Sequence, residues 1–358
     1  MMTSVLARNT EKCNMEFGSD FHYCDYTTGR SLLDIYRDAN LYIDGRQALI
    51  DIIRDNKWRC IWVPSYYCYE FIESVIPYIE VKFYDYTPYE DLTKVIQRLE
   101  VSSDDAIVIA NFFGISTQYD FSLGCTIIED HSHDLISDWA KNSKANWCFA
   151  SLRKTLPIAD GGILWSPKGH KLPTQPSHTV KCEELATNRY KAMTMKRQYL
   201  NGEKICKEAF REIYIQTENE FGTLPISSIS HQSMDILSQL DVTEWYNRKK
   251  RNWKFVTENI LTNEGIRILM PINCDCSIYP FSIVMQFRTN SMRDNFRSQL
   301  IKNEIYPAIL WDIPEDKCLS SQEFSRRMLS IHCDGRYSVS DIVVLTDRIN
   351  NIIQCLKS

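Results

Sequence analysis

The chain of 358 residues holds no apolar run approaching the 18 residues that would cross a membrane. Nor does it carry an excess of positive charge: 41 Lys and Arg face 46 Asp and Glu, for a net charge of -5. Phosphate recognition needs a positive field, so nucleic acid and other polyanions are not expected as partners. Metal-ligand spacing is missing from the cysteines. There are 13 of them, an odd number, and the closest pair, Cys274-x-Cys276, has a single intervening residue. Cys60 and Cys125 lie in apolar runs, where free thiols behave as small hydrophobes, so the set reads as reduced. The opening MMTSVLARNTEKC has no apolar stretch of the kind a secretory leader uses. No internal repeat or low-complexity segment occurs. The expected protein is soluble and cytoplasmic, with no nucleic-acid and no membrane partner.

What is present is ample material for packed interiors: 44% hydrophobic residues, 12% of the chain being aromatic. The length points to about two domains. Periodic signal begins at Gly45–Arg54, where Ala48, Leu49, Ile52 and Ile53 share one helical face. Short apolar runs then alternate with helix-like stretches. Strands are expected at 60–63, 80–84, 106–110, 125–129 and 161–165, with helices at 69–76 and 90–99 between them. This alternation predicts an α/β fold with a mainly parallel sheet. A charged helical region follows from about 183 to 219, and two more helices near 230–259. The tail offers a strand at 282–287, a helix at 292–303 and a last helix from 340 to 356. Ser338 is placed to cap that helix, with Asp341 in its first turn. The expected division is an N-terminal segment 1–39, a large domain 40–235 and a small α+β domain 236–358.

Several polar groups fall at strand ends, where ligands of α/β proteins sit. Asp44-Gly-Arg-Gln47 opens a helix after a loop, so Gly45, Arg46 and Gln47 could bind a phosphate through unpaired N–H groups and the positive helix end. A simple turn with a solvated arginine explains the same residues. Tyr66 and Tyr67, in VPSYYCY, could stack on an aromatic ligand or serve as packing. Asn111, directly past the strand 106–110, could reach a ligand oxygen or cap a turn. Glu129-Asp-His-Ser-His-Asp134 is the most polar cluster after any strand. Asp130, His131, His133 and Asp134 could ligate a metal, or the aspartate could cap a helix beside exposed histidines.

Lys154 adds a third reading. A lysine becomes a nucleophile when its neutral amine is favoured, or when it is stored as an imine on a carbonyl cofactor. It lies 24 residues after Asp130, in Ser151-Leu-Arg-Lys154, and Asp160-Gly-Gly162 follows. An acid at a strand end could hold the protonated ring nitrogen of pyridoxal 5'-phosphate (PLP), with Lys154 on its aldehyde and His133 near the ring oxygen. Ser151 and Arg153 are then candidate phosphate partners.

The order Gly-Arg, VPSYYC, NFFG, IIEDHSH, SLRKTLPIADGG resembles the DegT/StrS family of PLP-dependent sugar aminotransferases. In that family a strand-end Asp-x-x-(Gln or His) precedes the Schiff-base lysine, and a Gly-Gly follows seven or eight residues later. Asp130, His133, Lys154 and Gly161-Gly162 match these elements. Glu244–Trp253, Asn303–Pro307 and Leu329–Ser338 are similar to its later signatures, so the resemblance covers roughly residues 40 to 355. It implies fold type I, a seven-stranded, mainly parallel sheet in a large domain with a small α+β C-terminal domain. It also implies a homodimer, glutamate as amino donor, and a keto-sugar nucleotide as acceptor in surface-polysaccharide synthesis.

The sequence departs from the family at three places. The serine expected five residues before the lysine is Phe149. The aromatic expected four residues after Pro64 is Cys68. The Gly-x-Asn-Tyr-Arg segment that often completes a neighbouring subunit's site has no counterpart beyond Asn188-Arg-Tyr190. Alternatives to transamination are therefore a PLP-dependent lyase or dehydratase on the same fold, a non-catalytic member of the family, and a metal-dependent hydrolase built on the acidic–histidine cluster.

Overall fold

The structure, a computed structural model, describes residues 15–355 apart from 89, 117, 120–121, 263 and 272–277. The Cys274–Cys276 pair and the opening thirteen residues lie outside the described residues. All cysteines among the described residues are free.

Twelve strands are present among the described residues: β1 Phe17–Gly18, β2 Asn40–Tyr42, β3 Cys60–Pro64, β4 Glu80–Tyr84, β5 Ala106–Ala110, β6 Thr126–Asp130, β7 Trp147–Ser151, β8 Gly162–Trp165, β9 Ile266–Ile268, β10 Ile283–Phe287, β11 Ile305–Tyr306 and β12 Met328–Ile331. Seven form one sheet in the order β2-β8-β7-β6-β5-β3-β4. All run parallel except β8, which is antiparallel to both of its neighbours. A parallel sheet is covered on both faces, which is why β5 reads Ala-Ile-Val-Ile-Ala without alternation and is buried along its whole length. Ile107, Val108 and Ile109 are fully buried, and each such side chain contributes roughly 1.5–3 kcal/mol by leaving water.

The chain passes from β3 outward to β4 and then back across to β5. Between those connections the sheet changes direction, and a crevice opens at the carboxyl ends of β3, β5, β6 and β7. The helix Gly45–Asp55 packs with its predicted apolar face inward, Ala48, Leu49, Ile52 and Ile53 all being buried. Asp44 caps it by accepting from the N–H of Gln47 at 2.8 Å. Two close approaches fix where this helix begins. A methyl group at position 162 would lie 2.1 Å from the carbonyl oxygen of Asp44, and one at position 45 would lie 2.8 Å from the Ser151 nitrogen. Only glycines allow β8 and β7 to meet the helix entry so closely.

The charged region after β8 is a pair of packed helices, Val180–Leu200 and Lys207–Phe221. The helices His231–Gln239 and Val242–Asn259 follow. The second of these joins two hydrophobic cores. Val242, Trp245 and Tyr246 belong to the core around the seven-stranded sheet, Trp253 and Val256 to a core on the antiparallel sheet β12-β10-β9. Phe17 from the N-terminal segment packs in the latter. At the last helix, Val339–Cys355, Ser338 and Asp341 form a reciprocal cap. The Asp341 N–H donates to Ser338 Oγ at 3.2 Å, and the Ser338 N–H to Asp341 Oδ2 at 2.9 Å.

Candidate active site

The carboxyl edge of the sheet gathers most of the residues singled out from sequence. A cavity of about 260 Å³ has Gly45, Arg46, Tyr67, Asn111, Asp130, His133, Ser151 and Lys154 on its walls. They arrive from several different connections. Tyr67 follows β3, Asn111 follows β5, Asp130 ends β6, Ser151 ends β7, and Lys154 closes the single 3₁₀ turn after it.

Asp130 is held at both oxygens. The Ser132 N–H donates to Oδ1 at 2.8 Å, and the Tyr67 hydroxyl donates to Oδ2. Burial and the neighbouring carboxylate push the Tyr67 phenol well above its ordinary pKa, so it stays a donor. The Ser132 hydroxyl accepts from the Ser151 N–H at 2.9 Å and ties the ends of β6 and β7 together. The Asn111 N–H donates to the Asp130 carbonyl at 3.0 Å, and its buried Oδ1 has no hydrogen-bond partner.

His133 is buried between the rings of Phe281, 4.3 Å away, and Phe113, 5.6 Å away, and it also stacks on Trp311 at 5.8 Å. Its Nδ1 accepts from the Phe113 N–H at 2.9 Å, which assigns the ring proton to Nε2. Burial, with Lys154 nearby, depresses its pKa well below the usual histidine range, so the ring is neutral. Lys154 Nζ lies 5.8 Å from the Trp311 ring centroid.

At the other end of the cavity charge is contested. Arg46 Nε faces Asp44 Oδ2 at 3.6 Å, beyond hydrogen-bond reach. Burial raises the pKa of Asp44, with Arg46 opposing the shift. Arg153 pairs with both oxygens of Glu218, at 2.9 and 2.6 Å, and lies over the Phe221 ring. Asp44 Oδ2, Arg46 Nε, Asn111 Oδ1 and Arg153 Nε are all buried without a hydrogen-bond partner, and all four residues line this cavity. Buried polar groups are normally satisfied, so four unsatisfied ones around one cavity mark a place for a polar ligand.

Two sequence-derived candidates lie elsewhere. The Gln47 amide bonds the carbonyls of Leu224 and Pro225 and accepts from the Ser227 N–H, pinning that segment. Tyr66 donates to the Leu310 carbonyl and packs among Phe112, Phe324 and Trp311, away from the cavity walls. The proposed metal set of Asp130, His131, His133 and Asp134 does not converge. His131 turns instead to Glu129 at 2.8 Å, and the Asp134 carboxylate accepts from the N–H groups of Ile136 and Ser137. Among the described residues, the sets that could hold an ion are Glu129–His131–Cys148 and His178–Glu183–His231.

Phe149, in place of the family's serine, sits inside β7 opposite Asp130 and stacks on Phe71 at 5.7 Å. Cys68 lies on the cavity wall, where the family places an aromatic ring. Sequence reasoning missed Ser132, Glu218 and Trp311. Ser132 was legible as a polar residue between Asp130 and His133. Glu218 and Trp311 arrive from distant segments with no local signal.

No protein-family model and no curated relative matches the sequence. Solved structures do match the fold. PseC of Helicobacter pylori, an aminotransferase involved in the biosynthesis of pseudoaminic acid, superposes with a TM-score of 0.62 at 10% identity, covering 95% of this chain and 100% of its own. The apo form of Spr1654 from Streptococcus pneumoniae, described as a sugar aminotransferase, gives 0.59 at 11% identity over 93% and 94%. S. venezuelae DesV gives 0.56 at 14% identity over 91% and 90%. The chain therefore has the type-I fold of these aminotransferases along nearly its whole length.

Proposed function

We propose that this chain is a PLP-dependent aminotransferase acting on a sugar, with glutamate as amino donor and a keto-sugar nucleotide as acceptor. One observation carries the reading: Lys154 and Asp130 stand on the walls of a single cavity at the switch point of a type-I fold. The four unsatisfied polar atoms of residues lining that cavity support a polar occupant, and the residues match PLP in kind. Asp130 would hold the ring nitrogen. The Gly45–Arg46 helix entry and Ser151 would hold the phosphate, His133 would approach the ring oxygen with Asn111 within the same cavity, and Lys154 would bear the aldehyde carbon.

Bound there, PLP supplies an electron-withdrawing ring that stabilises negative charge on the substrate carbon bearing nitrogen. The chain's own residues do the rest. Lys154 Nζ moves the proton of that carbon, since its side chain lines both this cavity and a second one beside it. Ser132 and Tyr67 fix the Asp130 carboxylate in place. His133, stacked on Trp311, lines both cavities together with it.

The resemblance also supports a homodimer, a cytoplasmic location, a role in surface-polysaccharide synthesis and a small C-terminal domain from about residue 236. No helix among the described residues is long and apolar enough to cross a membrane. A second reading, a family member without turnover, draws on Phe149 in place of the phosphate serine and on the carboxylates of Asp44 and Glu218 at that end.

The deciding experiment is borohydride reduction of the PLP-treated protein followed by peptide mass mapping, with turnover of L-glutamate to 2-oxoglutarate measured in parallel. A pyridoxyl mass on the Lys154 peptide, absent from Lys154→Ala, is expected. An adduct on another lysine, or none, rejects the assignment. An adduct on Lys154 without any amino transfer selects the second reading.

A further inference from the structure

Two histidines that line neither of these cavities converge on one carboxylate. His178 precedes the helix Val180–Leu200, Glu183 lies in its first turn, and His231 opens the helix His231–Gln239. Glu183 Oε1 stands 2.6 Å from His231 Nδ1 and 3.3 Å from His178 Nδ1. The two imidazole rings stack face to face, their centres 4.0 Å apart and their planes 17° from parallel. All three side chains are reachable from solvent, beside a groove of about 570 Å³ that Thr187 and Asn188 also line.

The backbone holds this arrangement in place. The Ser177 carbonyl accepts from the Ser228 N–H at 3.1 Å and from the Ser227 hydroxyl at 3.2 Å. These bonds join the segment carrying His178 to the one that leads to His231. Ser230 is anchored to both oxygens of Asp160, at 2.8 and 2.6 Å. The Glu183 N–H donates to the Thr179 carbonyl at 3.1 Å, and its carboxylate accepts from the His231 N–H at 3.1 Å. Three donors from separate segments are thus preorganised within 4.8 Å of one another.

We propose that His178, Glu183 and His231 bind one divalent transition-metal ion of the zinc, nickel or copper kind, which clamps the two helix starts together. Imidazole beside carboxylate suits these ions, whereas Mg²⁺ and Ca²⁺ take oxygen shells. With bonds of about 2.0–2.2 Å, neighbouring donors around such an ion lie roughly 3 Å apart. The observed 2.6 and 3.3 Å bracket that spacing. Water from the groove completes the shell. In a neutral imidazole, Nδ1 without the ion meets Glu183 as an N–H donor and the lone pair stays on Nε2. With the ion, the Nδ1 lone pair goes to the metal and the proton sits on Nε2. The buried set Glu129–His131–Cys148 is a poorer candidate. His131 and the Tyr119 hydroxyl both bond Glu129, and burial pushes the Cys148 thiol well up, whereas a metal takes the thiolate.

Calorimetric titration of the full chain with Zn²⁺ tests the site, with Mg²⁺ as the control. One Zn²⁺ per chain is expected to bind here. His178→Gln and His231→Gln should each weaken it by at least about 10- to 100-fold, since losing a mere outer-shell partner of a metal ligand already costs that much. Glu183→Gln should weaken it as well. These variants leave every cysteine in place, so any Zn²⁺ taken by the exposed Cys206 or Cys355 is common to all of them. Unchanged Zn²⁺ affinity in either histidine variant, or Mg²⁺ binding as tight as Zn²⁺, overturns the proposal.

Labelling with diethyl pyrocarbonate, read by peptide mass mapping, needs no variant. The reagent takes an imidazole lone pair, and metal at Nδ1 leaves none. Zn²⁺ is expected to suppress the label on His178 and His231 and to spare the exposed His170. No suppression at the pair, or equal suppression at His170, rejects the site.

Discussion

Tyr67 donates its phenolic hydrogen to Oδ2 of Asp130, the residue that ends the middle strand of the seven-stranded sheet. The bond fills an acceptor that would otherwise face a buried cavity. Tyr67→Phe leaves that oxygen unsatisfied in the empty protein, at a cost of about 1–3 kcal/mol. On the proposed reading, the ring nitrogen of PLP would restore a donor there. Urea unfolding with and without PLP should therefore show a loss in the empty Tyr67→Phe protein that shrinks when PLP is bound. A loss of the same size in both states would mean the hydroxyl serves packing alone.

Asp130→Asn preserves shape and keeps an oxygen for the Ser132 N–H, but removes the charge that, on the proposed reading, would hold a protonated ring nitrogen. Binding of PLP to Lys154 should survive, because the amine and its surroundings are untouched. Amino transfer should fall by about 10²- to 10⁴-fold, the scale of losing one positioned proton-handling group. Adduct mass and initial rates measured on one sample test both halves. A rate within threefold of wild type would remove Asp130 from the chemistry.

The parts legible in sequence were those written locally. Ile107, Val108 and Ile109 announce a buried strand, and so do Ile127 and Ile128 before Asp130, so the acid's place at a strand end could be read off. The helix beginning at Gly45 was visible from its 3.6-residue periodicity. β7 was not, because Trp-Cys-Phe-Ala-Ser has neither alternation nor β-branched residues, and it is identified by its pairing with β6 and β8. The second cavity's wall was hidden for a related reason. Arg189 and Trp311 on that wall, and Glu218 on the first cavity's, look like ordinary members of charged helices or loops, and only the long-range fold gathers them around Lys154. Tyr66 and Gln47 show the converse. Both have site-like neighbours in sequence, but tertiary contacts turn their side chains elsewhere.

His133 and His332 make the protein sensitive to mild acid. Burial lowers the pKa of both, His332 to about 4. In the unfolded chain each takes a proton near pH 6.5, whereas the folded state stays neutral until a lower pH. Between those values the unfolded state binds more protons, so stability rises with pH and falls as the solution is acidified from about 6.5 towards 4. His332→Gln should flatten this acid limb in a series of urea unfolding curves. An acid limb as steep as wild type would show that other groups control it.

Asp44 acts in the opposite sense. Its folded pKa is raised by burial, with Arg46 only partly offsetting it. As pH rises past the ordinary carboxylate value, the unfolded chain releases this proton first, so the folded state binds more protons and stability falls until the raised pKa is passed. Asn caps a helix as well as Asp does and carries no charge. Asp44→Asn should thus keep the Gly45–Asp55 helix, remove that downward slope, and relieve the repulsion felt by a phosphate at the helix entry. PLP affinity should tighten on the order of tenfold, more at low salt than at high salt because charge repulsion is screened. Fluorescence titration with PLP at two salt concentrations measures this. Weaker binding in Asp44→Asn would mean that the carboxylate helps to hold the phosphate end, by orienting Arg46, more than it repels it.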